Sequence, residues 1–126
     1  MILIFGGVYQ GKLSYALERF GADENQIYQC SEKDAAIPGG KKILYEIDRW
    51  ILALIRADAK IAECVSRLIE NNRDAVVICN DISSGIVPVD EEARRWREAT
   101  GRAMAALAGQ SDEVVRLYCG IPSRVK

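Results

Sequence analysis

The segment Phe5-Gly6-Gly7-Val8-Tyr9-Gln10-Gly11-Lys12-Leu13-Ser14 decides the fold. Met1 to Phe5 is a continuous apolar run that stops at paired glycines, the pattern of a strand buried on both faces. Residues 12–20, KLSYALERF, carry helical character up to a stop at Gly21. Strand, glycine loop and helix in that order form the setting of a phosphate-gripping loop, G-x-x-x-x-G-K-[ST]. Gly6, Gly7 and Gly11 let the backbone curl so that the amides of Val8, Tyr9, Gln10 and their neighbours can face a phosphate. Lys12 can reach the outer phosphates. The alternative is a tight strand–helix turn with a surface lysine.

Leu13 stands where the pattern has a magnesium-binding hydroxyl, and a leucine cannot coordinate a metal. Ser14 is next along, but one helical step turns a side chain by about 100°. The backbone cradle does not depend on residue 13. Phosphate binding therefore survives this change better than metal placement does.

Working outward, residues 26–30 suit a short second strand, and residues 31–42, with Pro38-Gly39-Gly40, a mobile loop. Ile47, Trp50, Ile51, Leu54, Ile55, Ile61, Val65, Leu68 and Ile69 fall on one helical stripe. Asp58 interrupts it, which predicts a break near residues 56–58. Residues 75–79, AVVIC, read as another buried strand, and residues 82–89, with Gly85 and Pro88, as a loop. Asp90 is a suitable N-cap for a helix running to about Gly109, with Glu91 and Glu92 in its first turn. Residues 113–119 complete the pattern as a last strand. Alternating strands and helices predict an α/β, three-layer domain with a mostly parallel sheet, of the P-loop (RecA-like) type.

The 126 residues suit a single nucleotide-binding domain spanning 1–126. With 49% hydrophobic and 28% charged residues the chain can build a core. A formal net charge of −1 provides no general basic field for nucleic acid or an acidic membrane surface. No apolar run approaches the ~20 residues of a membrane span, and MILIF is too short for a signal peptide, so a cytoplasmic location is expected. Cys30, Cys64, Cys79 and Cys119 are scattered and read as reduced thiols. There is no histidine, which removes imidazole bases, imidazole metal ligands and nucleotidyl-histidine intermediates.

Glu46 and Asp48 are the candidates for ordering a magnesium ion, directly or through water. The alternative for both is a solvated helix start. Asp81 follows the AVVIC strand and belongs at the carboxyl edge of the sheet, where open α/β sheets bind ligands; it also suits an Asx turn. Lys12, Glu46 and Asp81 are thus the candidate catalytic groups. Arg94, Arg95, Arg97 and Arg102 read mainly as a solvated helix face, and Trp50 and Trp96 as core or subunit-contact residues.

Residues 80–88, NDISSGIVP, then 94–97, RRWR, then Gly101-Arg102, and finally 112–126, DEVVRLYCGIPSRVK, resemble the end of the adenosylcobinamide kinase / adenosylcobinamide-phosphate guanylyltransferase family. The closing G-x-P-x-x-x-K is Gly120, Pro122 and Lys126, and Gly6 to Lys12 resembles that family's glycine loop. Residues 43–55, ILYEIDRWILALI, are similar to its second acidic motif. The resemblance implies a RecA-like fold, a homotrimer and a place in cobalamin biosynthesis. It implies GTP or ATP as the nucleotide, Mg²⁺ as its companion ion, adenosylcobinamide as a substrate, and a phosphotransferase if the chain is active. Between Cys30 and Ile43 the chain is shorter than the family pattern, where the guanylyl-accepting histidine belongs. Guanylyl transfer through histidine is therefore excluded. A non-catalytic nucleotide- or corrinoid-binding protein is the alternative.

Overall fold

The computed structural model describes residues 1–82 and 90–126. The strands are β1 (Ile2–Gly6), β2 (Ile27–Gln29), β3 (Ile43–Tyr45), β4 (Val76–Asn80), β5 (Glu113–Tyr118) and β6 (Ile121–Arg124). The helices are α1 (Lys12–Phe20), α2 (Ile47–Arg56), α3 (Ile61–Asn71) and α4 (Glu91–Gln110). One sheet takes the order β2-β3-β4-β1-β5-β6. Every pairing is parallel except β5 with β6. The expected α/β class and mostly parallel sheet are both present.

Two hydrophobic layers sandwich the sheet. On one side Leu3, Val77, Cys79 and Val114 pack with Ile51, Leu54, Leu68 and Leu107 of α2, α3 and α4. On the other, Ile4, Val76, Ile78 and Val115 pack with Ala16 of α1. Successive residues of β1 and β4 thus alternate between two apolar layers, so both strands read as unbroken apolar runs. Each fully buried Leu or Ile contributes roughly 1.5–3 kcal/mol.

The break in the long stripe falls where Asp58 stands. α2 ends at Arg56, Asp58 takes a left-handed φ of 53°, and α3 begins at Ile61. Asp90 caps α4 by accepting from the Glu92 amide at 3.1 Å. The segment expected as a mobile loop over 31–42 is irregular and is tied to the rest of the chain by several contacts, two of them from aromatic side chains. Trp50 Nε1 donates to the Ala35 carbonyl at 2.8 Å and the Tyr28 hydroxyl to that of Ala36 at 3.3 Å. The loop expected over residues 82–89 lies, beyond Ile82, outside the described residues.

Two strands are additional to the sequence reading, β3 in the middle of the sheet and β6 at its edge. β5 is not the last strand, because the chain turns at Cys119-Gly120 and returns as β6. Both turn residues have positive φ, 51° and 74°, as a two-residue type I′ hairpin requires. Pro122 is tolerated in β6 because β6 is an edge strand.

Candidate nucleotide site

β1 and β4 end side by side, Gly6 opposite Asn80, and the chain leaves both at the carboxyl edge of the sheet. A cavity of about 540 Å³ opens there. Residues Val8 to Ser14 form one wall; Tyr45, Glu46, Arg49 and Asn80 form the other.

Backbone builds the first wall. A Cβ on Gly6 would run into the Leu117 carbonyl oxygen of β5, so no other residue fits. Gly11, with φ 85°, is the N-cap of α1. Tyr9 also adopts a left-handed φ of 62°, although it is not glycine and is 99% exposed. Gln10 clamps the loop to the β5–β6 turn. Its side-chain oxygen accepts from the Cys119 amide, and its carbonyl accepts from the Gly120 amide at 3.2 Å. The C-terminal glycine of G-x-P thereby supports the N-terminal loop.

Lys12 is 4% exposed, and its ammonium donates to the Gly7 carbonyl at 2.6 Å. Burial lowers its pKa from the ordinary value, against the opposing pull of Asp48, Cys79 and Glu46. Leu13 lines the cavity and packs against the α1-side core, so its departure from the hydroxyl pattern also does structural service. Ser14 lines the cavity as well and is exposed.

Side chains build the second wall. Glu46 is the N-cap of α2 and holds φ 62°, ψ 56°, a left-handed conformation costly for a side-chain-bearing residue. Its carboxylate accepts from Gln29 Nε2 at 2.8 Å and from Asn80 Nδ2 at 3.4 Å, and pairs with Arg49 Nε at 3.3 Å. Asp48 is buried and does not line the cavity. It accepts from the Asn80 amide at 3.0 Å and from Asn80 Nδ2 at 3.3 Å. Burial raises its pKa, partly offset by these Asn80 bonds. Trp96 Nε1 donates to the Asp48 carbonyl at 2.7 Å, so the tryptophan of RRWR positions this acid.

The structure therefore brings Lys12, Glu46 and Asn80 to one cavity, with Asp48 behind them. The Asp81 amide donates to the Gly6 carbonyl at 2.8 Å, which fixes Asp81 at the same sheet edge. Arg94, Arg95 and Arg102 are exposed on α4, and Trp50 is in the core, as expected. Gln29, Tyr45, Arg49 and the Gln10 clamp were not singled out from the sequence. Only Arg49 carried a usable signal, as a cation one helical turn after Glu46.

Residues 41–125, about two thirds of the chain, match the family described as Cobinamide kinase / cobinamide phosphate guanyltransferase. The chain belongs to that family, a family of cobalamin biosynthesis. The match takes in the second wall and the β5–β6 hairpin; the glycine loop precedes it. No curated protein matches the chain. Among the described residues, no helix is long and apolar enough to cross a membrane.

Proposed function

We propose that residues 1–126 act as one nucleotide-binding domain that holds the phosphates of GTP or ATP against the Val8–Ser14 wall. The observation that carries this reading is the junction of β1, a glycine loop and α1 around Lys12, at a cavity on the carboxyl edge of the sheet. The first amides of α1 lack intrahelical partners and lie at the positive end of the helix dipole, which suits an anion. Lys12 supplies a charge gripped inside the loop. Family membership supports a nucleotide-using activity on adenosylcobinamide.

As a kinase, the site would bring a substrate hydroxyl to the terminal phosphorus, with Lys12 holding the outer phosphates and Glu46 or Asp81 at hand for the proton. Magnesium, when bound, would neutralise phosphate charge. Glu46 is the carboxylate that lines the cavity and would hold it, with Asp48 acting through Asn80. The chain has no histidine, so guanylyl transfer through a histidine adduct has no residue to run on. A second reading, nucleotide or corrinoid binding without catalysis, is favoured by Leu13, which offers hydrocarbon where the metal ligand belongs. Assembly as a homo-oligomer is part of the proposal by family membership.

Calorimetric titration with GTP and ATP, each with Mg²⁺ and with a chelator, tests the reading. Binding that persists without the metal is expected, and Leu13→Ser should add metal dependence. Absence of binding at millimolar ligand would end it. Turnover of adenosylcobinamide separates the kinase from the binding protein.

A further inference from the structure

We propose that Arg49 is a second phosphate ligand, whose guanidinium leaves Glu46 and turns onto the outer phosphates of a bound nucleotide. The inference rests on the nucleotide reading of the cavity and adds a residue to it.

The charge of the cavity carries the argument. Among the described residues, its charged lining groups are Lys12, Arg49 and Glu46. Lys12 and Glu46 cancel within the lining, and Arg49 is its second cation, set against Asp48 behind Asn80 and Asp81 at the same sheet edge. A triphosphate entering a neutral cavity beside a buried carboxylate would be poorly held. The pattern's usual remedy is a metal ion anchored by the hydroxyl that Leu13 lacks. Arg49 supplies a positive charge without one.

Its present contact is easily given up. Arg49 meets Glu46 through a single nitrogen at 3.3 Å, three residues apart on one helix, with the arginine side chain half exposed. Pairs of this kind contribute little. Glu46 would not be stranded, since Gln29 and Asn80 still donate to it. The guanidinium fork matches phosphate oxygens in a way an ammonium does not. Arg49 also sits in the first turn of α2, so the same helix start that presents Glu46 presents the cation.

The test compares the full chain with Arg49→Gln and Arg49→Lys by titration with GTP and with inorganic tripolyphosphate, in chelator and in excess Mg²⁺. In chelator, Arg49→Gln should weaken both ligands about tenfold, as for a lost charge-assisted contact. Arg49→Lys should recover part of the loss. Excess Mg²⁺ should shrink the deficit, a pattern that a merely structural arginine would not produce. Unchanged melting temperatures would exclude a folding defect. Equal affinity of wild type and Arg49→Gln for both ligands in chelator would overturn this inference and leave the nucleotide reading standing. If the wild-type chain binds neither ligand, the nucleotide reading fails and this inference with it.

Discussion

The two walls of the cavity are made of different material. The Val8–Ser14 wall is shaped by glycines at the strand end and helix start, and the groups proposed to bind phosphate there are amides and one lysine. The opposite wall is shaped by side chains: a strained Glu46, a buried Asp48 and an Asn80 that serves both. A backbone wall keeps its shape when one side chain changes, which is why Leu13 can sit in it and pack into the core. A side-chain wall fails when one member is removed, because each buried group relies on another for its hydrogen bonds.

This contrast can be broken first at Gly6. Gly6→Ala forces a Cβ onto the β5 backbone, which cannot move aside as a side chain would. The expected loss is about 3 kcal/mol or more, read as a lowered midpoint in denaturant unfolding. A wild-type midpoint would show that the strand junction yields, and the first wall would not be rigid.

Lys12→Met is next. Nucleotide affinity should fall roughly thirtyfold, the scale of a lost hydrogen bond to a charged group. Stability should hold or rise, because a desolvated ammonium is replaced by a thioether of similar length. The pH dependence gives a separate check. With the native pKa lowered below 10.5, the unfolded chain binds the extra proton in the window between the two values. Stability then rises with pH through that window, and the substitution should abolish the rise.

Asp48→Ala probes the second wall without touching the cavity surface. It leaves the buried Asn80 amide without its partner, at an expected 1–2 kcal/mol (about) in thermal unfolding. The sign with pH is opposite to that of Lys12. The native Asp48 pKa is raised, so the folded state holds the proton longer and stability falls as pH climbs through the range just above 3.8. A flat profile in that range, alike in variant and wild type, would detach Asp48 from the network.

The smallest effect belongs to a pair far from the cavity. Arg19 and Glu113 meet through two nitrogen–oxygen contacts, one of 2.7 Å, and the arginine holds the carboxyl below its usual range. Glu113→Gln should cost about 0.5 kcal/mol at neutral pH. The wild-type advantage is present above pH 4.5 and lost as the pH falls through the lowered native value. A salt titration of the melting temperature measures it.

Much of the fold was legible because it rests on local chemistry. Apolar runs ending at Gly6 and near Asn80 marked β1 and β4, and Asp58 and Asp90 marked a helix break and a helix start. β6 was missed because its four residues are all exposed and include a proline, so no burial pattern announced it. The signal was the two-residue Cys119-Gly120 turn after a strand.

For the site, sequence spacing alone determined that a glycine loop and lysine follow a buried strand, and that no histidine or hydroxyl at residue 13 joins them. Those are statements about neighbours along the chain, and the α-helix and strand periods carry them into space. Only the tertiary structure decided that Asp48 lies behind Asn80 while Glu46 and Arg49 line the cavity, and that Gln10 is held by Cys119 and Gly120. Those partners are more than thirty residues apart in the first case and more than a hundred in the last. Their meeting follows from strand order, which places β4 and β5 on either side of β1 and so brings both chain ends and the middle to one sheet edge.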